Sequence, residues 1–373
     1  MKIVMVSIWR SSLNYHKMCY YILGEQMKKL IENYTLEELK LEMSAIGEKP
    51  FRAKQLATWI YQKRIDSFFD MSDISKASQQ KFADTYQLST LTQHTCQISK
   101  DKTRKYLFKT VDNHFIETVL MVHDYGYSIC VTSQIGCNMG CAFCASGLLK
   151  KKRNLEAAEI VDQVLKVQKD IDKDEMRVSN IVVMGIGEPF DNYDNVMKFV
   201  KIVNDDNMLG IGARHITIST CGIADKIRKF ADENTQVNLA ISLHAPNDKL
   251  RTSIMPINQA FPLKELFDSL HYYLEKNSRR LTFEYILLKD VNDTLEHAKQ
   301  LADLVGGMNA YVNLIPYNPV DEHSFHQSEF KQSMRFYDYL MKRKIQCTLR
   351  KEHGADIDAA CGQLRIKVEK GTN

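Results

Sequence analysis

The sequence predicts an α/β fold, a partial (βα)6 barrel that follows a small helical N-terminal accessory domain and a β-hairpin linker. From Tyr127 onward, short apolar runs typical of strands alternate with amphipathic segments typical of helices. Repeated βα units imply a parallel sheet with right-handed crossovers, and about six units are fewer than the eight of a closed barrel. Several strands also alternate polar with apolar residues, whereas strands buried on both faces are usually continuously apolar.

Composition and length are those of an ordinary globular protein. The chain has 373 residues, of which 44% are hydrophobic and 26% charged. No apolar run approaches the roughly 18 residues of a membrane span. The nine cysteines include a tight cluster, and their odd number argues against a secreted disulfide scaffold. We therefore expect a cytoplasmic protein with no membrane partner. Residues 1–26 are expected to be a tail, since Met27 opens a more convincing sequence than Met1.

Residues 27–95 are predicted to form the helical accessory domain. Thr35 and Glu38 have the spacing of a capping box and start a helix that ends near Ala45. Pro50 suits the first turn of a second helix, FRAKQLATWIYQKR, and a third helix is expected over 75–86. The linker, 96–126, should contain a hairpin made by RKYLFKT and HFIETVLMV around a turn at 111–113.

The barrel is assigned to residues 127–350 and a C-terminal segment to 351–373. The predicted strands are SICVTS, NIVVMG, HITIST, NLAISLH, LTFEYILL and VNLIPY, with QCTLR a weaker candidate. The helices between them are predicted over 156–172, 193–204, 223–232, 263–276, 294–305 and 329–343.

Alternation along these strands predicts a polar cavity. In the first strand Ser128, Cys130 and Thr132 alternate with Ile129 and Val131, and three later strands behave in the same way. Successive side chains of a strand point to opposite faces, so the apolar residues should lie under the helices and the polar ones in a shared interior. The alternative is an antiparallel sheet with one solvated face, which the intervening helices disfavour.

Basic residues occur in clusters, although the net charge is only +4. Such clusters suit the phosphates of a nucleic acid, but they equally suit solvated surfaces. Composition alone leaves both interpretations open.

The stretch IGCNMGCAFC contains the most informative motif, three cysteines with the spacing C-x3-C-x2-C at Cys137, Cys141 and Cys144. Structural zinc sites need four ligands, commonly in two pairs. An iron–sulfur cluster held by three cysteines leaves one iron open, and that iron is able to activate a small molecule. Gly136 before the first cysteine helps the loop to wrap closely. The alternative, three buried structural thiols, is disfavoured by the tight spacing.

CNMGCAFC, with Phe143 as its aromatic residue, resembles the motif of radical S-adenosylmethionine (SAM) enzymes. The resemblance implies a [4Fe–4S] cluster that binds SAM and cleaves it reductively to methionine and a 5′-deoxyadenosyl radical. Further stretches, EKPFRAKQL, MGIGEP, SLHAPND, NLIPYNP and GADIDAACGQL, resemble the RlmN/Cfr family of RNA adenine methyltransferases, most closely its C2-methylating branch. That branch methylates an adenine in the peptidyl-transferase region of 23S rRNA and the adenine 3′ of the anticodon in some tRNAs.

The resemblance also implies roles for individual residues. Cys361 would carry a methyl group from one SAM, a second SAM would supply the radical, and Cys130 would remove the ring proton and resolve the adduct through a transient disulfide with Cys361. Glu117 would be a proton acceptor, although strand alternation alone places it in solvent. The positions matched to SAM contacts are Gly187, Glu188, Ser219, Ser242, His244 and Asn318. The cysteines that match no motif, expected to be structural, are Cys19, Cys96, Cys221 and Cys347.

Two other functions compete with C2 methylation. The first is methylation at C8 of the same rRNA adenine, the antibiotic-resistance branch, which shares the cysteines. The second is an iron–sulfur sensor that binds nucleic acid without catalysis, which the SAM-contact motifs disfavour. The resemblance further implies a small flavoprotein such as a flavodoxin as the reductant.

Overall fold

The computed structural model describes residues 28–320, 322–350, 354, 356–357, 364–365 and 368. Its centre is a ten-stranded sheet of mixed direction. The strands of this sheet, in chain order, are β3 (Leu91–Ile98), β4 (Arg104–Thr110), β5 (Phe115–His123), β6 (Gly126–Cys130), β9 (Val178–Val183), β10 (Ile216–Thr220), β11 (Asn238–Ser242), β12 (Leu281–Leu287), β13 (Ala310–Pro316) and β14 (Cys347–Leu349). The remaining strands are short: β1 (Lys29–Leu30) pairs with β2 (Tyr86–Gln87), and β7 (Gln134–Ile135) with β8 (Arg153–Asn154).

The barrel half of the sheet is parallel from β6 to β14, in the order β6-β9-β10-β11-β12-β13-β14. The connecting helices are α4 (Ala157–Asp172), α5 (Tyr193–Asn204), α6 (Ala224–Asp232), α7 (Asp248–Ile254), α8 (Leu263–Lys276), α9 (Leu295–Val305) and α10 (Phe330–Lys342). All seven predicted strands are confirmed, including the weaker candidate, as are the six predicted helices. The predicted partial-barrel class is therefore confirmed, and α7 is an addition to it.

The antiparallel half extends the same sheet. β4 and β5 form the predicted hairpin, β5 pairs antiparallel with β6, and the unpredicted β3 pairs with β4. The hairpin thus continues the barrel sheet directly. The domain boundaries at 95, 126 and 350 stay a prediction.

The accessory helices follow the predicted pattern. They are α1 (Leu36–Ala45), α2 (Arg52–Ala57), which continues as a π-helical turn over Thr58–Gln62, and α3 (Lys76–Thr85). The expected capping box is present at the start of α1, with Thr35 and Glu38 exchanging hydrogen bonds. The apolar core of these helices is continuous with that of the barrel. Among the described residues, no helix is long and apolar enough to cross a membrane.

A buried carboxylate pair lies where the accessory helices meet α4. Asp162 Oδ2 accepts the backbone N–H groups of Thr90 and Leu91 at 2.7 and 2.8 Å. Glu32 Oε1 accepts the N–H of Ser89 at 3.0 Å, whereas its Oε2 has no hydrogen-bond partner among the described residues. Burial, followed by the charge of Asp162, raises the pKa of Glu32 from 4.5 to about 8.

This pKa predicts that stability falls as the pH rises from about 4.5 to about 8. The folded protein keeps a proton on Glu32 in that window while the unfolded chain has lost it, so the unfolded state binds fewer protons. Glu32→Gln, which cannot ionise, should flatten the dependence and be more stable than wild type at pH 8. Urea unfolding at several pH values measures how the free energy of unfolding depends on pH. Glu37→Gln, at an exposed position, is the control. An unchanged pH slope in Glu32→Gln would contradict the assignment.

Candidate active site

A cavity of about 250 Å³ lies at the carboxyl ends of the parallel strands. Open α/β sheets commonly bind ligands at this edge. The polar and sulfur-bearing side chains that line the cavity are Cys137, Met139, Cys141, Cys144, Ser146, Met184, Glu188, Ser219, Cys221, Ser242, His244, Met255, Glu284 and Arg350. Ser219, Ser242, His244 and Glu284 belong to the polar strand faces, so the predicted polar interior is confirmed at these positions.

The three-cysteine loop follows β6 and is fixed by its backbone. Cys137 N–H donates to the carbonyl of Leu149 at 3.0 Å, and Ala142 N–H donates to the carbonyl of Ile254, at the end of α7, at 2.9 Å. Gly136 has a φ of +78°, and a Cβ at this position would lie 2.3 Å from the carbonyl oxygen of Lys150. Only glycine satisfies both constraints, so the loop closes as the sequence predicts.

The three thiols line the cavity together. Burial raises the pKa of Cys137 to about 12, and burial with the neighbouring thiols raises the pKa of Cys141 as well. Ligation requires thiolates, so binding of a metal cluster here would release protons. Three soft sulfur donors on one loop suit an iron–sulfur cluster. Among the described residues, no three or more His, Cys, Asp or Glu side chains lie close enough together to bind a single metal ion.

Two serines and a histidine form a polar row along β10 and β11. The hydroxyl oxygens of Ser219 and Ser242 lie 3.3 Å apart. His244 follows β11 in the left-handed region, with a φ of +58°, and its Nδ1 accepts the N–H of Ile286 at 3.1 Å. Burial lowers the pKa of His244 to about 3. The ring is therefore neutral near pH 7, and its proton lies on Nε2, which is then a donor for a cavity ligand.

The GIGEP segment crosses the cavity wall. Gly187 has a φ of +104°, and a Cβ there would lie 2.5 Å from the Cβ of Gln134. Glu188 is buried, and its carboxylate accepts the N–H groups of Cys221 at 2.8 Å and Phe190 at 3.0 Å. Burial raises the pKa of Glu188. The carboxylate thus fixes the loop after β10 while lining the cavity. Asn318 is exposed on the loop after β13 and is not among the cavity-lining residues.

Cys130 ends β6, where it pairs with Val119 of β5 and Val182 of β9. Burial raises the pKa of its thiol, while the charges of Arg350 and Lys105 oppose that rise. A thiolate at this position therefore has two cations nearby to stabilise it.

Glu117 is buried, with 3% of its surface exposed. Strand alternation placed it in solvent, and that prediction is wrong. Its Oε2 lies 2.7 Å from Nζ of Lys105, and its Oε1 accepts the N–H of Arg365 at 2.6 Å. Arg365 thus contacts Glu117 of β5, a contact that no local pattern reveals. Cys361 lies outside the described residues, four positions before Arg365.

Four polar residues near the site were not singled out as site residues by the sequence. Glu284 and Arg350 line the cavity, Lys105 contacts Glu117, and Arg251 donates to the carbonyl of Cys221, a residue that also lines the cavity. Alternation along the predicted strand LTFEYILL places Glu284 on the interior face, whereas Arg350 and Lys105 each lie in a stretch rich in lysine and arginine. No signal in the sequence indicated Arg251.

Comparisons with known proteins agree with this geometry. The sequence profile of the Radical SAM superfamily matches residues 131–305, and that of the ribosomal RNA large subunit methyltransferase N-terminal domain matches residues 31–88. The crystal structure of a radical SAM methyltransferase from Sphaerobacter thermophilus superposes with a TM-score of 0.87 at 40% sequence identity. That superposition covers 90% of this chain and 98% of the other.

Two curated relatives are described as probable dual-specificity RNA methyltransferase RlmN. The protein from Shouchella clausii is 54% identical over 348 residues, which cover 92% of this chain and 98% of the relative. The protein from Streptococcus gordonii is 55% identical over 349 residues, which cover 92% and 96%. The similarity therefore spans both the accessory helices and the barrel.

Proposed function

The chain belongs to the RlmN family of radical SAM RNA methyltransferases, and from that premise we propose that it methylates C2 of adenine 2503 in 23S rRNA and C2 of adenine 37 in tRNAs. The family implies a [4Fe–4S] cluster and SAM. The observation that carries the proposal is Cys130 at the end of β6, paired with Val119 of β5 and close enough to Lys105 and Glu117 for their charges to act on its thiol. Cleavage of SAM alone needs neither a further thiol nor a carboxylate there.

Cys137, Cys141 and Cys144 would hold the cluster, and Gly187, Glu188, Ser219, Ser242, His244 and Asn318 would contact SAM. Once bound, the cluster and SAM supply a 5′-deoxyadenosyl radical. The neutral His244 would donate from Nε2, and the paired serine hydroxyls would offer both donors and acceptors. Neither His244 nor the two serines would need to change protonation near pH 7 to bind SAM.

The methyl group would pass through the chain's own cysteines, in a reaction that uses two SAM molecules. Cys361 sulfur first receives a methyl group from one SAM. Loss of a hydrogen atom from that methyl group to the radical gives a methylene radical, which bonds to C2 of adenine and tethers the enzyme to RNA. Such a covalent intermediate divides a difficult substitution at an electrophilic ring carbon into easier steps.

Cys130 would then release the product. The adduct radical would give up one electron, for which the oxidised cluster would be the acceptor, and the Cys130 thiolate would remove the C2 proton and pass it on. The Cys130 sulfur would then attack Cys361 sulfur, which breaks the bond from Cys361 to the methylene carbon and leaves a disulfide. The released carbon would take up a proton and become the methyl group. Glu117 would accept a proton from this site, held in place by Lys105. A reductant, for which we propose a flavodoxin, must return the disulfide to two thiols and supply the electron for SAM cleavage. We place the reaction in the cytoplasm, where such a disulfide is transient.

Nucleoside mass spectrometry tests the proposal. A strain that lacks the protein should contain no 2-methyladenosine in 23S rRNA or tRNA, and expression of the protein should restore it in both. Appearance of 8-methyladenosine in rRNA would instead establish the C8 branch, and absence of both nucleosides would overturn the proposed substrates. Release of 5′-deoxyadenosine on reduction would exclude the non-catalytic sensor independently of the RNA.

We also propose that the accessory helices bind RNA through phosphates and shape. Lys49, Phe51 and Lys54 are exposed at the start of α2, and the guanidinium of Arg52 lies 5.2 Å from the centroid of the Phe51 ring. A cation and an aromatic face at one helix end suit the backbone and an unstacked base.

Lys49→Glu with Lys54→Glu should therefore weaken RNA binding and reduce its salt dependence. Each lost phosphate contact lowers the slope of log affinity against log salt by about 0.7 to 0.9. Binding titrations at several salt concentrations measure this, with Lys264→Glu, exposed on α8, as control. An affinity and salt slope equal to those of wild type would show that RNA does not contact this surface.

A further inference from the structure

Arg251 is a fully buried cation on α7, with 0% of its surface exposed. Its guanidinium donates from Nη2 to the carbonyl of Cys221 at 2.6 Å and of Ser242 at 3.3 Å. Nε donates to the carbonyl of Leu243 at 3.2 Å, and Nη1 donates to Oδ1 of Asn258 at 2.9 Å. All four acceptors are neutral.

The described residues provide Arg251 with no carboxylate within ion-pair distance. Asp248 is exposed, and although its charge acts on the guanidinium, its hydrogen-bonded connection to Arg251 runs through Asn258, which donates to it at 2.9 Å. Glu188 accepts the N–H of Cys221 and makes no ion pair with Arg251. By contrast, Lys105, which is also fully buried, lies 2.7 Å from a carboxylate oxygen of Glu117. A buried charge without a counter-ion is strongly unfavourable.

The missing negative charge would lie at the three-cysteine loop. Arg251 lies on α7. The carbonyl of Ile254, at the end of this helix, accepts the N–H of Ala142 in the three-cysteine loop at 2.9 Å. The thiols of Cys141 and Cys221 are close enough that their charges would act on the guanidinium. Three thiolates on an oxidised [4Fe–4S] core carry more negative charge than the core carries positive charge, and reduction adds another electron.

We propose that Arg251 is a positioning residue that acts as the buried counter-charge of the cluster and raises its reduction potential. Net charge and burial are among the factors that set cluster potentials. A nearby cation stabilises the reduced, more negative cluster more than the oxidised one, and low local polarity enlarges this effect. The inference rests on the proposed ligation by Cys137, Cys141 and Cys144, but not on the RNA substrate.

The test is a potentiometric titration of the reconstituted full-length protein without RNA, followed by electron paramagnetic resonance of the reduced cluster. In Arg251→Gln the ratio of reduced to oxidised cluster at a fixed potential should fall about tenfold or more, which is a shift of about 59 mV for one electron. Arg251→Lys, which keeps the charge and loses part of the hydrogen bonding, should remain close to wild type. Arg228→Gln, on α6 at the protein surface, should show no shift.

Asn258→Asp combined with Asp248→Asn provides a second variant that keeps Arg251 in place. Oδ1 of residue 258 already accepts from Nη1, so an aspartate there would neutralise the guanidinium, and an asparagine at position 248 would keep the contact between residues 248 and 258 without opposing two carboxylates. The potential should also fall in this double variant, even if Arg251→Gln does not fold. Potentials unchanged in Arg251→Gln, or in the double variant where the first variant fails, would overturn the inference. So would equal shifts in Arg251→Gln and Arg251→Lys, which would indicate a structural role only.

These outcomes separate the inference from the proposed function. If the wild-type protein takes up a cluster but forms no 2-methyladenosine, the proposed function is wrong. The same titration then still tests the role of Arg251. A wild-type protein that takes up no cluster would overturn both.

Discussion

Replacing Cys130 with alanine should leave the protein covalently attached to its RNA. In the proposed mechanism the earlier steps need only Cys361, the cluster and SAM, whereas product release needs the Cys130 thiolate as base and nucleophile. General acid–base catalysis alone contributes about 10² to 10⁴ in rate, so released 2-methyladenosine should fall at least about 100-fold. Denaturing gels and mass spectrometry of the nuclease-digested adduct would identify adenine bonded to Cys361 through a methylene bridge.

Three further variants make the Cys130 prediction specific. Cys361→Ala should abolish both methylation and the adduct, because no methyl group is carried. The double variant Cys130→Ala with Cys361→Ala should behave in the same way. Cys96→Ala, on β3 and partly buried, should be fully active. Full turnover by Cys130→Ala would refute the role of this thiol, and an adduct in the double variant would refute the role of Cys361.

The strands and helices of the barrel were predictable because each has a strong period of its own. The amphipathic α4 and the apolar β9 follow one another with little between them, and the structure places both as expected. The missed elements lack such a period. β3 is interrupted by a register shift between Gln93 and Thr95, and α7 has only seven residues within a loop. Short or irregular elements owe their conformation to neighbours that are distant in sequence.

The residues of the candidate site also differ in whether local sequence patterns predict their position. Alternation along the predicted strands HITIST and NLAISLH places Ser219, Ser242 and His244 in the interior, because the face on which a strand residue lies is a local property. The burial of Glu117 depends on Lys105 and on the return of Arg365 to β5, and neither contact is local. Arg251 gives no signal at all, since only the folded chain shows that its acceptors are neutral and that the three-cysteine loop lies beside it.

The Glu117–Lys105 pair provides the largest expected effect on stability. Lys105→Met would leave a carboxylate buried without its cation, and breaking a buried pair in this way costs about 3 to 5 kcal/mol. Denaturant unfolding of the full-length protein at fixed cluster content would measure the change in the free energy of unfolding. Lys264→Met, which removes an exposed ion pair with Asp268, should change it by less than about 1 kcal/mol.

The double variant Lys105→Met with Glu117→Gln separates stability from catalysis. A neutral amide at position 117 keeps an oxygen to accept the N–H of Arg365 and leaves no uncompensated charge, so most of the lost stability should return. Methylation should not return, because the amide is unable to accept a proton. Recovery of both would mean that the pair is structural and that the proton leaves by another route. A Lys105→Met protein as stable as wild type would contradict a stabilising role of the ion pair between Lys105 and Glu117.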